Sequence, residues 1–305
     1  MAKRKQHKTG SVSSKTFRAG ITAALLAAGG VQAGEGSFGW IYTLDLQPKG
    51  TLEFEQRVGL VRQQAGGRYD MWQTRTELEY GVTNDLQLAA YFDTYSVNAA
   101  GNSADGTTGG LLVPASAGEK GNGAEPYRKT RTGYAVEAIW RLTNPVMSPV
   151  GTGLYLEYID GQVKRELEGR LLLQSNFLDD KLVVASNIVV GSKEMKFDAA
   201  NKASESELDV LLGASYRFAN RWTAGLEYRY HNDFNGYRFG THVQEGHFIG
   251  PNVHYATKDW WVTAAWRHQL KGGRCMAPNE GECSKGYVWD GHGRDEYVVK
   301  VGFPF

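Results

Sequence analysis

The last nine residues, Tyr297-Val298-Val299-Lys300-Val301-Gly302-Phe303-Pro304-Phe305, decide the fold. Counting back from Phe305, every second side chain is large and apolar: Phe303, Val301, Val299 and Tyr297. Between them stand Pro304, Gly302, Lys300 and Val298, with Glu296 one step further back. A strand points successive side chains to opposite faces, so this spacing gives one apolar face and one mixed face. A carboxyl-terminal strand of this kind closes a transmembrane β-barrel with its apolar face toward lipid. Half-buried strands of soluble sandwiches alternate too, so the reading depends on the rest of the chain.

The amino terminus agrees with it. Lys3, Arg4, Lys5, Lys8, Lys15 and Arg18 precede any acidic residue, and the small, apolar stretch Ile21 to Val31 follows. Val31-Gln32-Ala33 puts small residues where a signal peptidase reads. These three features predict a secretory signal over residues 1–33. A basic tail for nucleic acid would leave the apolar run unexplained. Without the signal the chain keeps 28 basic against 33 acidic residues, a net −5. That argues against a nucleic-acid-binding protein, which needs a basic surface.

From Gly34 to Phe305 the chain has 272 residues, an ordinary length for a single barrel. Mean hydropathy is −0.43, and no later stretch of about 18 apolar residues would form a transmembrane helix. A barrel is compatible with low hydropathy because only alternate residues face lipid. Cys275 and Cys283 are the only cysteines and sit among Gly, Pro and Asn. Export passes through an oxidising compartment, so a loop-closing disulfide is expected. No CxxC spacing or adjacent histidine pair favours a metal site there, and no cofactor is called for.

Period-two patterning predicts twelve strands, near 51–62, 71–82, 86–97, 133–143, 152–159, 163–177, 182–191, 206–218, 222–231, 247–255, 260–270 and 295–305. In the second, Trp72, Thr74, Thr76, Leu78, Tyr80 and Val82 share one face, with Gln73, Arg75, Glu77 and Glu79 on the other. The connections sort by parity. Thr83 to Asp85, Asn144 to Gly151, Leu178 to Lys181, Ala219 to Arg221 and Ala256 to Asp259 are short or fairly short. Asn98 to Thr132, Ser192 to Glu205, Asn232 to Gly246 and Lys271 to Arg294 are long, with Asp160-Gly161-Gln162 a short exception on their side. Short turns at one end and long loops at the other match the periplasmic and extracellular ends of an outer-membrane barrel, with both termini in the periplasm. A β-sandwich gives no reason for this parity.

The face predicted to meet lipid carries aromatic residues at both ends. Trp72, Tyr134, Tyr158, Tyr228, Tyr230, Trp266 and Tyr297 lie toward the loops; Tyr80, Tyr216, Trp222, Tyr255, Trp260 and Phe303 lie toward the turns. Amphipathic rings at headgroup depth form such belts, so contact with outer-membrane lipid and lipopolysaccharide is expected. The 98–132 loop is rich in Gly, Ala, Ser, Asn and Thr and is expected to be flexible and extracellular, or folded inward to narrow the lumen. Gly34 to Gly50, with Phe38, Trp40 and Tyr42, precedes the first strand and is expected to fill the periplasmic mouth as a plug or to run along the wall.

Charge crowds the inward positions. The acids are Glu53, Glu55, Glu77, Glu79, Asp93, Glu137, Glu157, Glu166, Glu168, Glu207, Asp209, Glu227 and Glu296. The bases are Arg57, Arg75, Arg141, Lys164, Arg170, Arg217, Arg229, Arg267 and Lys300. In a narrow twelve-stranded lumen these groups must be hydrated or paired. One reading is a polar pore whose charges select solutes by sign. The other is a cross-strand salt-bridge lattice stiffening a closed barrel. A catalytic reading finds little support. A histidine-x-serine arrangement on the outer rim would suit a lipid hydrolase, but His242, His254 and His268 are followed by Val243-Gln244, Tyr255-Ala256 and Gln269-Leu270. His231, His242, His247 and His254 cluster around one loop, where solvated histidines are commoner than a metal site.

Three places carry a resemblance. Thr43-Leu44-Asp45-Leu46-Gln47-Pro48-Lys49-Gly50 with Leu52-Glu53-Phe54-Glu55-Gln56 resembles the approach to a first strand in an uncharacterised family of Gram-negative outer-membrane β-barrel proteins. Glu79-Tyr80-Gly81-Val82-Thr83-Asn84-Asp85-Leu86-Gln87-Leu88 is similar to that family's first periplasmic hairpin. The final strand resembles the signal read by the barrel-assembly machinery. The chain is also distantly similar to transporters of aromatic-degradation (meta-pathway) operons. The resemblance spans much of the mature chain and implies an all-β outer-membrane barrel with a transport role. The whole predicts a monomeric channel, not an enzyme, through which small polar or aromatic-acid solutes diffuse. A closed structural or surface-display barrel is the alternative, and a lipid hydrolase a more distant one.

Overall fold

The computed structural model describes residues 36–101, 127–196, 202–289 and 291–305. The expected signal and most of the 98–132 loop lie outside the described residues. The twelve barrel strands are β1 (Leu52–Arg62), β2 (Arg68–Gly81), β3 (Leu86–Ala100), β4 (Tyr127–Thr143), β5 (Gly151–Gly161), β6 (Lys164–Phe177), β7 (Leu182–Lys196), β8 (Lys202–Ala219), β9 (Trp222–Asn235), β10 (His242–Ala256), β11 (Trp261–Gln269) and β12 (Asp295–Pro304). Each pairs antiparallel with its neighbours in sequence, and β12 pairs with both β11 and β1. The Phe54–Phe303 and Val58–Val299 pairs lie on that closing seam. Closure leaves no sheet edge, which the hydrocarbon of a bilayer would not tolerate.

The two faces divide as the periodicity predicts. Along β2, Met71, Glu77 and Glu79 are buried, while Trp72, Leu78 and Tyr80 are exposed on the outer surface. Along β8, Leu212, Tyr216 and Phe218 face out, while Glu207, Asp209 and Ser215 are buried. So much exposed Leu, Val, Trp and Tyr around the outside is a lipid-facing surface. Tyr228 and Tyr230 are only half-buried there. The His247 ring stacks on Tyr230 at 4.8 Å and accepts or donates a 2.7 Å hydrogen bond with the Tyr228 hydroxyl.

Several strands run further into the long-loop side than the periodicity reached. β4 begins at Tyr127, β7 ends at Lys196, and β9 and β10 extend to Asn235 and from His242. Polar residues occupy both faces of these extensions, so period two fades while the backbone ladder continues.

The Lys271 to Arg294 loop turns back onto the barrel. Arg274–Cys275 pairs with β10, Cys283–Ser284 pairs with Tyr287–Val288, and Cys275 is bonded to Cys283 across a Cα separation of 5.6 Å. Gln269, an inward residue of β11, brackets the Val288 backbone: it accepts from the amide at 2.7 Å and donates to the carbonyl at 2.9 Å. Val288 and Trp289 are buried there.

The segment from Gly36 to Gly50 crosses the inner wall near the short turns. Ser37 reaches Ser215 on β8, and Leu44 and Gln47 reach β6 and β3. Phe38, Ile41 and Leu44 are fully buried. Gly213 and Gly153 make room for it. A Cβ on Gly213 would lie 2.6 Å from Ile41, and one on Gly153 would lie 2.5 Å from Leu44.

Candidate functional site in the barrel interior

The inward face is polar along most of its length, and charge there is layered. In the β1–β2 register Glu53 stands opposite Glu79, Glu55 opposite Glu77, and Arg57 opposite Arg75. On the inward face of this pair directly opposed charges are alike, so neutralisation comes from elsewhere. Lys300 on β12 lies 3.6 Å from Glu55, and the Trp261 indole donates to Glu53 at 2.9 Å. Gln87 donates to Glu79 at 3.0 Å. Arg75 pairs with Asp93 at 3.1 Å and approaches Glu157 at 3.7 Å, with its guanidinium over the Tyr91 ring.

Around the wall, Glu137 accepts from the Tyr155 hydroxyl at 3.0 Å, and Tyr91 donates to Glu157. Lys164 pairs with Glu166, and Arg170 with Glu168 at 2.6 Å, each two residues apart on one strand face. Arg229 pairs with Asp209 at 2.5 Å and Arg267 with Glu296. Arg141 reaches Asp85 in the β2–β3 turn and donates to the Leu44 carbonyl at 3.1 Å. Arg217 lines a small recess with Asp45, Asp180 and His254. Glu227 accepts the amides of Gly39 at 2.6 Å and Trp40 at 2.9 Å.

A cavity of about 180 Å³ lies within this lattice. Trp40 and Tyr42 of the amino-terminal segment contribute to its lining, together with Tyr95, Arg57, Arg75 and Arg170. Arg267 lies 4.3 Å over the Trp40 ring, and Arg170 lies 4.6 Å over the Tyr42 ring. Guanidinium–aromatic contacts of this kind hold the rings without excluding polar groups from the cavity.

The four clustered histidines do not meet. His247 faces outward against Tyr230, His242 lies against Phe234, and His254 shares a 2.7 Å hydrogen bond with Thr263. His231 instead meets His292, with ring centroids 4.4 Å apart. With Asp233 these bring one donor atom each within 4.8 Å. Such ligands could hold a transition metal. Positive charge is already supplied, however: Lys193 lies 3.5 Å from Asp233, and Arg229 contacts His231 at 2.8 Å.

Sequence reasoning missed two parts of this interior. Lys193, beyond the strand that periodicity predicts, is an inward residue of β7 that pairs with Glu207 at 2.8 Å. The amides Gln87, Gln174 and Asn187 carry no charge to mark them, yet all three occupy inward positions of their strands and receive the backbone of the amino-terminal segment. Uncharged polar residues at inward positions were the available signal.

Comparison with known proteins supports the fold. The model of a family of unknown function, DUF6662, matches residues 30–305. An outer membrane channel from Pseudomonas putida F1 superposes with a TM-score of 0.54 at 11% identity, covering 85% of this chain and 97% of that one. The NanC porin superposes with a TM-score of 0.50 at 10% identity, covering 82% of this chain and 98% of that one. No curated protein matches the sequence.

Proposed function

We propose, from the premise that the chain belongs to the DUF6662 family of unknown function, that it is an outer-membrane channel. Small polar or aromatic-acid solutes would diffuse through its narrow, charged lumen. One observation carries the reading: charged side chains surround a cavity of about 180 Å³ inside the barrel wall. A barrel kept only for rigidity would be filled more cheaply with apolar side chains, because buried ion pairs repay their desolvation poorly. The barrel fold matches that of outer-membrane proteins, among them a channel and a porin. At these identities the likeness supports the architecture, and the transport role rests on the interior.

The same proposal includes export by removal of residues 1–33, a Gram-negative outer-membrane location with both termini periplasmic, and insertion by the barrel-assembly machinery through Tyr297, Val299, Val301, Phe303 and Phe305. The barrel would work as a monomer in contact with lipopolysaccharide. In this reading the barrel is a channel and not an enzyme.

A second reading, a closed structural or surface-display barrel, is favoured by the amino-terminal segment lying across the inner wall. Single-channel recording of the refolded mature chain in a planar bilayer separates the two. Discrete steps whose size follows salt concentration are the expected result. Absence of steps from protein folded by heat-modifiable migration would overturn diffusion. Steps appearing only after deletion of 36–49 would establish the segment as a closed plug.

A further inference from the structure

Three basic residues stand side by side on the inner wall: Lys300 on β12, Arg57 on β1 and Arg75 on β2, each directly opposite the next in register. Like charges on directly opposed positions of a sheet repel and destabilise it. The outer two are compensated. Lys300 has Glu55 at 3.6 Å, and Arg75 has Asp93 at 3.1 Å. Arg57, in the middle, has no carboxylate or other side-chain partner among the described residues, and its side chain lines the 180 Å³ cavity.

The rest of the lining is equally informative. Of the charges in the lining, Arg75 faces Asp93 and Glu157, Arg170 pairs with Glu168, and Lys164 pairs with Glu166 just beyond it, which leaves the Arg57 guanidinium. Trp40, Tyr42, Tyr95 and Ile159 supply flat or apolar surface. An uncompensated guanidinium in a partly desolvated recess is a site for an anion, and its planar fork suits a carboxylate best. One residual charge fits one carboxylate, and the aromatic walls fit a flat or apolar body behind it.

We propose that this cavity is a binding subsite for a small monocarboxylate with a planar apolar body, and that Arg57 receives the carboxylate. The proposal rests on reading the interior as a solute path and names the class of solute held there. It also reverses the sign expected from the acidic excess along the wall. The carboxylates are largely engaged with Lys, Arg or tyrosine hydroxyls, and the unengaged charge beside the cavity is cationic.

The test is equilibrium binding to the refolded mature chain in detergent micelles, by titration calorimetry at neutral pH, with folding checked by heat-modifiable migration. The probes are benzoate, its neutral counterpart benzamide, and a hexuronate sugar acid as a carboxylate without an aromatic body. Benzoate should bind saturably and at least about tenfold more tightly than benzamide, the discrimination expected from one charge-assisted contact. Arg57→Gln should weaken benzoate by about tenfold or more, Arg57→Lys should retain most of the binding, and Arg62→Gln, on an exposed residue paired with Asp70, should leave it unchanged. Equal binding of benzoate and benzamide, or no effect of Arg57→Gln in folded protein, would overturn the site and make Arg57 a hydrated side chain. Hexuronate binding as tightly as benzoate would overturn the aromatic half of the proposal.

Binding in micelles does not require conduction. Saturable benzoate binding by a barrel that gives no current steps would keep the subsite and remove the diffusion reading. Current steps without benzoate binding would do the reverse.

Discussion

Asn187 pairs with Tyr42 as a neighbouring strand would. Its Oδ1 accepts the Tyr42 amide at 2.8 Å, and its Nδ2 donates to the Tyr42 carbonyl at 2.9 Å. A single side chain thus satisfies both backbone groups of a residue in an irregular segment. Buried backbone groups must find partners somewhere, and an extended segment inside a barrel has no adjacent strand to supply them. Gln174 and Gln87 accept the amides of Leu44 and Gln47 in the same manner.

Asn187→Leu should therefore loosen the segment while leaving the barrel closed. Two hydrogen bonds are lost and a buried amide is left unpaired, a cost of about 2–4 kcal/mol to local attachment. Hydrogen exchange of the backbone around Tyr42 should accelerate by about 30-fold or more, with the β2 and β8 amides unchanged. Asn187→Asp should fall short of wild type too, because an ionised carboxylate accepts but does not donate. Unchanged protection in Asn187→Leu would mean that apolar packing of Phe38 and Ile41 alone holds the segment.

The glycines that receive the segment offer an independent way to displace it. A Cβ on Gly213 would meet Ile41 at 2.6 Å and Phe38 at 2.7 Å. Gly213→Val adds still more volume, and overpacking of this kind costs about 1–3 kcal/mol. The expected outcome in planar bilayers is a larger unitary conductance than wild type, from protein that still migrates as a folded barrel. An unchanged conductance would show that the segment does not limit the path.

The strands were legible because alternation is imposed by lipid. Leu208 to Phe218 presents an apolar side chain at every second position, and Trp72 to Tyr80 does so at its two ends with Thr74 and Thr76 between. The long-loop extensions of β7 and β9 were not legible, since water accepts polar residues on both faces there. Within the candidate site, the inward identity of Lys300, Arg57 and Arg75 could be read from parity. The compensation of two of those three bases could not, because Asp93 and Glu55 neutralise them through contacts that depend on register. The His231–His292 contact joins β9 to a loop 61 positions later in the chain, and no periodicity predicts such a pairing.

Charge reversal at Glu77 and Glu79 tests whether solutes pass beside the acidic layer. These carboxylates stand opposite Glu55 and Glu53 and are almost fully buried from bulk water. Glu77→Lys with Glu79→Lys changes the local charge by about four units and should shift the reversal potential in a potassium chloride gradient toward chloride selectivity. An unchanged reversal potential with conductance intact would put the conducting path elsewhere.

Closure of the barrel depends on a close approach at its seam. The Trp261 indole on β11 packs against Gly302 on β12, where a Cβ would overlap the ring, and its Nε1 reaches past β12 to donate to Glu53 on β1 at 2.9 Å. One residue thereby ties three strands, two of them forming the join between the chain's last and first strands. Gly302→Val should prevent closure and abolish heat-modifiable migration, since neither the buried indole nor the strand backbone can move aside. Trp261→Phe keeps a ring against Gly302 and loses only the donor. It should fold, with stability in urea lower by about 1.5–3 kcal/mol, the range for a buried hydrogen bond to a charged group. Gly302→Ala combined with Trp261→Leu should recover closure better than Gly302→Ala alone, because the smaller side chain frees the volume that the added methyl needs. If Gly302→Val folds with wild-type stability, the seam is not sterically fixed by Trp261, and β12 must be held by its backbone ladder alone.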